Sequence, residues 1–459
     1  MSRFGVCLVR FVQCCERVMD SNAASTRVTS PVRQLGRSTD QLPVAHTNGN
    51  RKAVCRSCGA TLHHTFVDLG MSPLCESFLR GDQLDGMEAF YPLHVWVCDH
   101  CFLVQLQQYV SPAEIFEEYA YFSSYSDSWL AHARRYTERM IDELDLTPGS
   151  RVVEVASNDG YLLQYFVQRG IPVLGIEPAA NVARAAMERS VPTLVEFFGR
   201  DLAGRVAATG RADLLIGNNV LAQVPDVNDF VAGLKILLAP RGVITIEFPH
   251  LVRLVAENQF DTIYHEHFSY FSVLSATRVF AAHGLMIYDV EELETHGGSL
   301  RLFICHAGDL ARDPTRRLAE MRARESDLGL DDLTYYADFG ERVRETKRKL
   351  LAFLIEAKRA GKQVAGYGAP GKGNTLLNYC GIRTDFLDYT VDRNPYKHGR
   401  YLPGTHIPIY PTDRIAATRP DYVLILPWNL QREITAQLDY IREWGGQFVV
   451  PIPEVQVIA

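Results

Sequence analysis

No stretch of this 459-residue chain offers the roughly 18 consecutive apolar residues that span a bilayer, so no membrane partner is expected. A basic excess is missing as well. The 47 Lys and Arg stand against 54 Asp and Glu, a formal charge of −7, which leaves no electrostatic footprint for nucleic acid. No secretory signal is expected: Arg10 interrupts the opening "MSRFGVCLVRFVQCCERVMD", no small-residue cleavage site follows, and Met19 is a candidate start. Residues 1–50 are largely polar and aperiodic and are expected to form a disordered leader. Histidine is scarce, with 14 in the chain, which makes the crowding in "IYHEHFSYF" (263–271) conspicuous.

Cysteine is present but not in a disulfide pattern. Of ten cysteines, four form "CRSC" (Cys55, Cys58) and "CDHC" (Cys98, Cys101), separated by 39 residues, and the rest are scattered. Each CxxC turn presents two thiolates to one side, and two such turns complete a closed tetrahedral sulfur site. We read a structural zinc site in a small domain over 51–125, and a reducing, cytoplasmic compartment.

The length exceeds one ordinary core and predicts two or three domains. A helical piece, "SWLAHARRYTERMIDELDL", precedes "RVVEVASNDGYLLQYFVQRG", which reads as strand, turn and helix. Further strands follow in "PVLGIEP", "ADLLIGN" and "GVITIEFPH". The alternation predicts an α/β fold with a parallel sheet and ligands at the strand carboxyl ends. The turn "EVASNDG" has one glycine, so it lacks the close approach that a dinucleotide pyrophosphate needs. An acidic residue, Glu177, follows 17 positions after Gly160, at the end of the second strand. That combination suits S-adenosylmethionine, with Ala156, Ser157, Asn158, Gly160 and Asn218 around it and Glu177 on the ribose hydroxyls. The central domain is placed at 126–310. A charged helical connector is expected over 311–357, and a second α/β unit over 358–459. The turn "GYGAPGKGN" of that unit has four glycines and Lys372, a plausible phosphate cradle.

Together these segments resemble the S-adenosylmethionine-dependent C-methyltransferases of nucleotide-linked deoxysugars. The resemblance rests on the double CxxC, "VVEVASNDGYLL", "GIEPAANVA", "IGNNVLAQVPDVNDFV", "TIYHEHFSYFS", "HGGSLR", "GYGAPGKGNTLLNY" and "VDRNPYKHGRYLPGTHIPI", in this order from about residue 52 onward. It implies a zinc-binding domain, a central Rossmann-like class I methyltransferase domain and a C-terminal Rossmann-like domain. The implied substrate is a nucleoside-diphospho-4-keto-deoxyhexose, methylated at carbon 3. Two departures stand out. Ala156 replaces a usual glycine, and Gln223 replaces a usual histidine; glutamine can orient a ketone but carries no proton at neutral pH.

Methylation beside a ketone requires a base for the carbon proton and donors for the enolate oxygen. Carried over from the family, His267 is the base, and Tyr264 and Glu266 shape its pocket. A helical segment would put Tyr264 and His267 on one face, whereas an extended one would pair His265 with His267. Tyr119, Tyr121 and Tyr125 are further hydroxyls near the sugar, with Tyr121 set in the site. His296 and Arg301 of "HGGSLR" are expected at the substrate, and Lys372, Asn374, Asn394 and Lys397 at its nucleotide end. A metal reading of "HEH" fits poorly, since helical zinc sites space their histidines four apart. The rivals are an O-methyltransferase on a related sugar nucleotide, a zinc-ribbon nucleic-acid-binding protein and a non-catalytic scaffold. A monomer is expected.

Overall fold

The computed structural model describes residues 53–116 and 122–458; the leader at 1–50, Tyr119 and Tyr121 lie outside them. Alternating apolar and polar side chains make two antiparallel strands, β1 (His64–Ser72) and β2 (Tyr91–Val97). A short strand, β3 (Val104–Leu106), extends this sheet.

The central region holds β4 (Val152–Val155), β5 (Val173–Ile176), β6 (Thr193–Leu194), β7 (Ala212–Asn218) and β8 (Leu238–Pro249). Then come β9 (Ser269–Tyr270), β10 (Leu285–Leu293) and β11 (Ser299–His306). All but β9 form one sheet in the order β10-β11-β8-β7-β4-β5-β6, parallel except for β11. Its middle strands are covered on both faces, which is why "VVEV" and "LLIGN" read as unbroken buried runs. This is the class I S-adenosylmethionine-dependent methyltransferase fold. The helix Asp127–Glu143 starts at Ser126, whose hydroxyl accepts from the Trp129 amide.

The C-terminal region repeats the α/β scheme with β12 (Val364–Tyr367), β13 (Thr390–Val391), β14 (Ile409–Tyr410), β15 (Tyr422–Ile425), β16 (Gln447–Val450) and β17 (Gln456–Ile458). Their order is β14-β13-β12-β15-β16-β17, with β17 antiparallel.

Two features cross the boundaries drawn from sequence. Strand β9, from the "HFSYF" segment, pairs with β3 and so joins the sheet of the N-terminal region. The helix Phe339–Arg359 is not a free connector: Phe339 stacks on Phe66 of β1 at 4.5 Å, and Val343, Leu350 and Leu354 are buried with it. One hydrophobic cluster runs through β1–β3, this helix and the C-terminal sheet. A charged face and a buried face on one helix look like a connector in sequence, and the buried stripe decides otherwise.

Candidate active site

At the carboxyl ends of β4, β5, β7 and β8 opens a cleft of about 1380 Å³, lined by residues of all three regions. Single small-molecule sites run to roughly 300–1,000 Å³, so the space suits two ligands.

On one side lies the turn after β4. Ala156 and Asn158 adopt left-handed φ of 58° and 49°, followed by Gly160 at 75°. This tight path lets Glu177, at the end of β5, accept from the Asn158 amide at 3.0 Å and the Ala179 amide at 2.9 Å. Burial raises the Glu177 carboxyl above its usual range, and these two amides oppose the rise. Ala156, Asn158, Glu177 and Asn218 line the cleft. Ser157 is fully buried behind it, and Gly160 packs against Val191 and Ala186, so both serve the turn from outside the cleft surface. A carboxylate held by amides, with lone pairs left over, fits the ribose hydroxyls of S-adenosylmethionine, and the turn leaves room for the amino-acid end.

Across the cleft stands "YHEH". It is neither helix nor strand. His265 and Glu266 form a turn closed by the His267 amide donating to the Tyr264 carbonyl at 2.9 Å. The turn packs the Tyr264 and His267 rings together, tilted by 33° with centroids 4.1 Å apart, both in the cleft. His267 Nδ1 is 2.8 Å from the Thr262 carbonyl. A carbonyl only accepts, so Nδ1 carries the proton and Nε2 keeps its lone pair. Burial pushes the His267 pKa down to about 4, helped by His296 and Lys372. His265 turns the other way, against the Pro92 carbonyl and the Tyr91 ring, outside the cleft. Glu266 accepts from the Cys75 thiol at 3.6 Å, and burial, with Glu76 nearby, raises its carboxyl to about 8. Gln223 lines the cleft beside this turn, because the Phe268 amide donates to the neighbouring Ala222 carbonyl at 2.7 Å.

His296, Arg301, Lys372 and Lys397 also reach the cleft. The structure does not bring Asn374 and Asn394 there. Asn374 is buried, its amide donating to the Cys75 carbonyl at 2.7 Å, and Asn394 caps its own turn by accepting from the Tyr396 amide. Tyr125 is exposed outside the lining.

Sequence reasoning missed several lining groups. Trp129, His132 and Tyr136 sit on one helical face at i, i+3 and i+7, a spacing legible in advance. His132 and Arg301 stand 3.1 and 2.7 Å from the buried Glu247. Burial would raise Glu247, but these partners win and hold it at about 2. Glu76 was also missed. Its carboxylate accepts from the Gly371 amide and pairs with Lys397 at 3.6 Å, so the cradle expected for phosphate is filled from within.

The four CxxC sulfurs lie within 4.8 Å of one another, with Cys55–Cys101 at 3.4 Å and Cys58–Cys98 at 3.6 Å. A tetrahedral zinc with 2.3 Å bonds sets sulfurs about 3.8 Å apart, so the cluster fits zinc. Gln105 donates to Cys55 Sγ at 3.1 Å, and backbone amides of His100 and Cys101 face Cys98 Sγ. Within the first knuckle, Arg56 donates to the Pro225 carbonyl at 2.6 Å, and the Arg56 and Ser57 carbonyls accept from Asn228. The zinc knuckle therefore braces the wall that carries Gln223.

Fold and cofactor turn define an S-adenosylmethionine-dependent methyltransferase with a zinc-binding domain. Family profiles agree: a zinc binding domain matches 55–116, a methyltransferase domain 129–290 and a C-methyltransferase C-terminal domain 294–453. The C-methyltransferase NovU of Streptomyces niveus is 39% identical over 411 residues, covering 88% of this chain and 96% of the relative. The chain belongs to this C-methyltransferase family. A ubiquinone biosynthesis O-methyltransferase of Rhodopseudomonas palustris is 26% identical over 115 residues, 25% of this chain and 46% of the relative. Among solved structures, an S-adenosylmethionine-dependent methyltransferase from Anabaena variabilis matches 44% of this chain and 98% of its own at 13% identity and a TM-score of 0.35.

Proposed function

We propose that this C-methyltransferase methylates carbon 3 of a nucleoside-diphosphate-linked 4-keto-deoxyhexose, a thymidine-diphosphate sugar by preference, in deoxysugar biosynthesis. The observation that carries the reading is the His267 ring in the cleft, with Nδ1–H spent on the Thr262 carbonyl and Nε2 left as base. A proton on carbon beside a ketone needs a base that is neutral at working pH, and a buried imidazole qualifies. His267 takes that proton, and the electron pair moves into the enolate. Tyr264, packed against the same ring, fixes its orientation. Bound S-adenosylmethionine supplies an electrophilic methyl group. Glu177, Asn158, Ala156 and Asn218 hold it on the opposite wall, with Ser157 and Gly160 keeping their turn in shape. Gln223 and Arg301 are assigned to orienting polar groups of the sugar, and Lys397 to its nucleotide end.

The test is incubation with methyl-labelled S-adenosylmethionine and thymidine-diphospho-4-keto-2,6-dideoxyglucose in deuterated water, followed by mass spectrometry and NMR. A new carbon-bound methyl at C-3, lost in His267→Ala, is expected. Methyl on oxygen would replace this reading with O-methylation, and neither exchange nor transfer would remove this sugar as substrate.

A further inference from the structure

The enolate that His267 generates places a negative charge on the ketone oxygen, and the cleft offers a partner for it in a lysine that its motif suggested for phosphate. We propose that Lys372, from the C-terminal region, is the electrophile of the site: with His296 it binds the ketone oxygen and holds the charge that develops there. This deepens the C-3 methylation reading and rests on it.

The geometry begins with Trp428. Lys372 Nζ lies 4.6 Å over the Trp428 ring and donates to Asn429 Oδ1 at 2.9 Å. Trp428 Nε1 donates to Asp261 Oδ2 at 2.7 Å, and the next residue, Thr262, supplies the carbonyl that orients His267. The His296 turn packs on the same indole: a side chain at Gly297 would come within 2.7 Å of Trp428 Cη2. One indole thus places Lys372, the base and the His296 turn around a common point, and Lys372, His267 and His296 all line the cleft.

His296 shows the marks of a held functional group. Its φ is 55°, and Gly297 and Gly298 follow at 90° and 110°, three left-handed residues in a row. A non-glycine residue in that region is strained and persists only where its surroundings hold it there. Its ring meets the Trp129 edge at 5.1 Å, and the buried Nδ1 has no hydrogen-bond partner. Burial, with Lys372 next, pushes the His296 pKa down to about 4, so the ring is neutral and carries one N–H to donate. Asn429 takes one of the three Lys372 N–H bonds.

The chemistry balances. The C-3–H bond breaks and its proton passes to His267 Nε2. The bonding pair forms the new C=C, and the carbonyl π pair settles on oxygen against the Lys372 ammonium and His296 N–H. The enolate carbon then bonds the methyl as the sulfur–methyl bond of S-adenosylmethionine breaks, its pair leaving on sulfur.

The competing role for Lys372 is a hold on the diphosphate, and the two separate by experiment. Full-length wild type, Lys372→Met and Lys372→Gln are compared for C-3 deuterium exchange at saturating thymidine-diphospho-4-keto-2,6-dideoxyglucose, and for binding of thymidine diphosphate. S-adenosylhomocysteine binding serves as the check on folding. Loss of one such donor costs about 10²–10³-fold in turnover. The expected result is an exchange rate down by that factor, with thymidine diphosphate affinity within about threefold of wild type. Exchange within threefold of wild type at saturation, with diphosphate affinity weakened tenfold or more, overturns the proposal and assigns Lys372 to the phosphates. The uncharged Gln variant carries the same test should the Met variant fail to fold. A wild type that neither exchanges nor methylates the sugar overturns the C-3 reading and this proposal together, whereas an active wild type with an equally active Lys372→Met overturns this proposal alone.

Discussion

The chain contains two strand–turn–helix units that look alike in sequence, the turn after β4 and the turn after β12, and they end differently. In the first, left-handed residues pull the backbone aside and leave Glu177 facing open space. In the second, four glycines free the backbone, but the space is taken by the chain itself. Glu76 accepts from the Gly371 amide, and Lys372 swings to Trp428 and Asn429. A glycine-rich turn creates room for an anion, and whether a ligand or a side chain fills it depends on residues hundreds of positions away. The turn poorer in glycine is the one we assign to the cofactor.

Breaking the first turn gives the largest expected effect. Glu177→Ala removes the carboxylate assigned to two ribose hydroxyls. Hydrogen bonds to a charged group are worth roughly 1.5–3 kcal/mol each, so S-adenosylhomocysteine should bind about 10²–10⁴-fold more weakly by calorimetry. Lys372→Met, in the other turn, should leave that affinity intact. Equal losses in both variants would erase the distinction between the turns.

The next effect is a pH dependence that the second turn reaches across the cleft to set. Burial, then His296 and Lys372, hold the His267 pKa at about 4. A base is active when unprotonated, so its activity falls as pH drops through its own pKa. An unshifted histidine near 6.5 would lose about tenfold by pH 5.5, whereas kcat/KM here should stay flat from pH 7.5 to 5.5. In Lys372→Met the residual rate should begin its acid decline at higher pH, though below 6.5, because burial remains. A wild-type midpoint near 6.5 would mean that the imidazole is solvated and the cleft is open around it.

A smaller effect probes the filling of the second turn. A methyl at Gly371 would meet Cys75 Sγ at 2.8 Å and Glu76 Oε1 at 3.3 Å. Overpacking of this kind costs typically 1–3 kcal/mol. Gly371→Ala should therefore lower the unfolding free energy by that amount, read as a lower urea midpoint at unchanged slope, while S-adenosylhomocysteine affinity holds.

These contrasts also mark where the sequence could be read. The place of Glu177 in the cleft was legible because an acidic residue at the end of a second parallel strand is a local pattern. The parallel pairing among β4, β5, β6, β7 and β8 followed from strand–helix alternation, whereas the order of the sheet and its antiparallel strand β11 did not. The "YHEH" turn was not legible as a turn, since its conformation is fixed by long-range bonds: Phe268 to Ala222, and β9 to β3. Nor was the fate of Asn374, whose partner is the Cys75 carbonyl at the far end of the chain. Lys372 and Glu76 show the same limit, because local spacing proposed a cradle and tertiary contact filled it. The three left-handed residues of "HGG" were half legible, as two adjacent glycines announce a turn but not that a histidine shares its strain.

The smallest expected effect returns to the first turn. Ala156 holds φ at 58°, a region that costs an L residue roughly 1–2 kcal/mol. Glycine removes that cost but gives the unfolded chain more freedom, a loss of about 0.4–1 kcal/mol. Ala156→Gly should therefore raise stability by only about 0.5 kcal/mol, read as a small rise in the urea midpoint. Cofactor affinity should stay level, because Glu177 takes its bonds from the amides of Asn158 and Ala179 rather than from residue 156. A clear loss of stability on substitution would show that the alanine methyl packs against something the turn needs, and that this turn, like the second, is held from within.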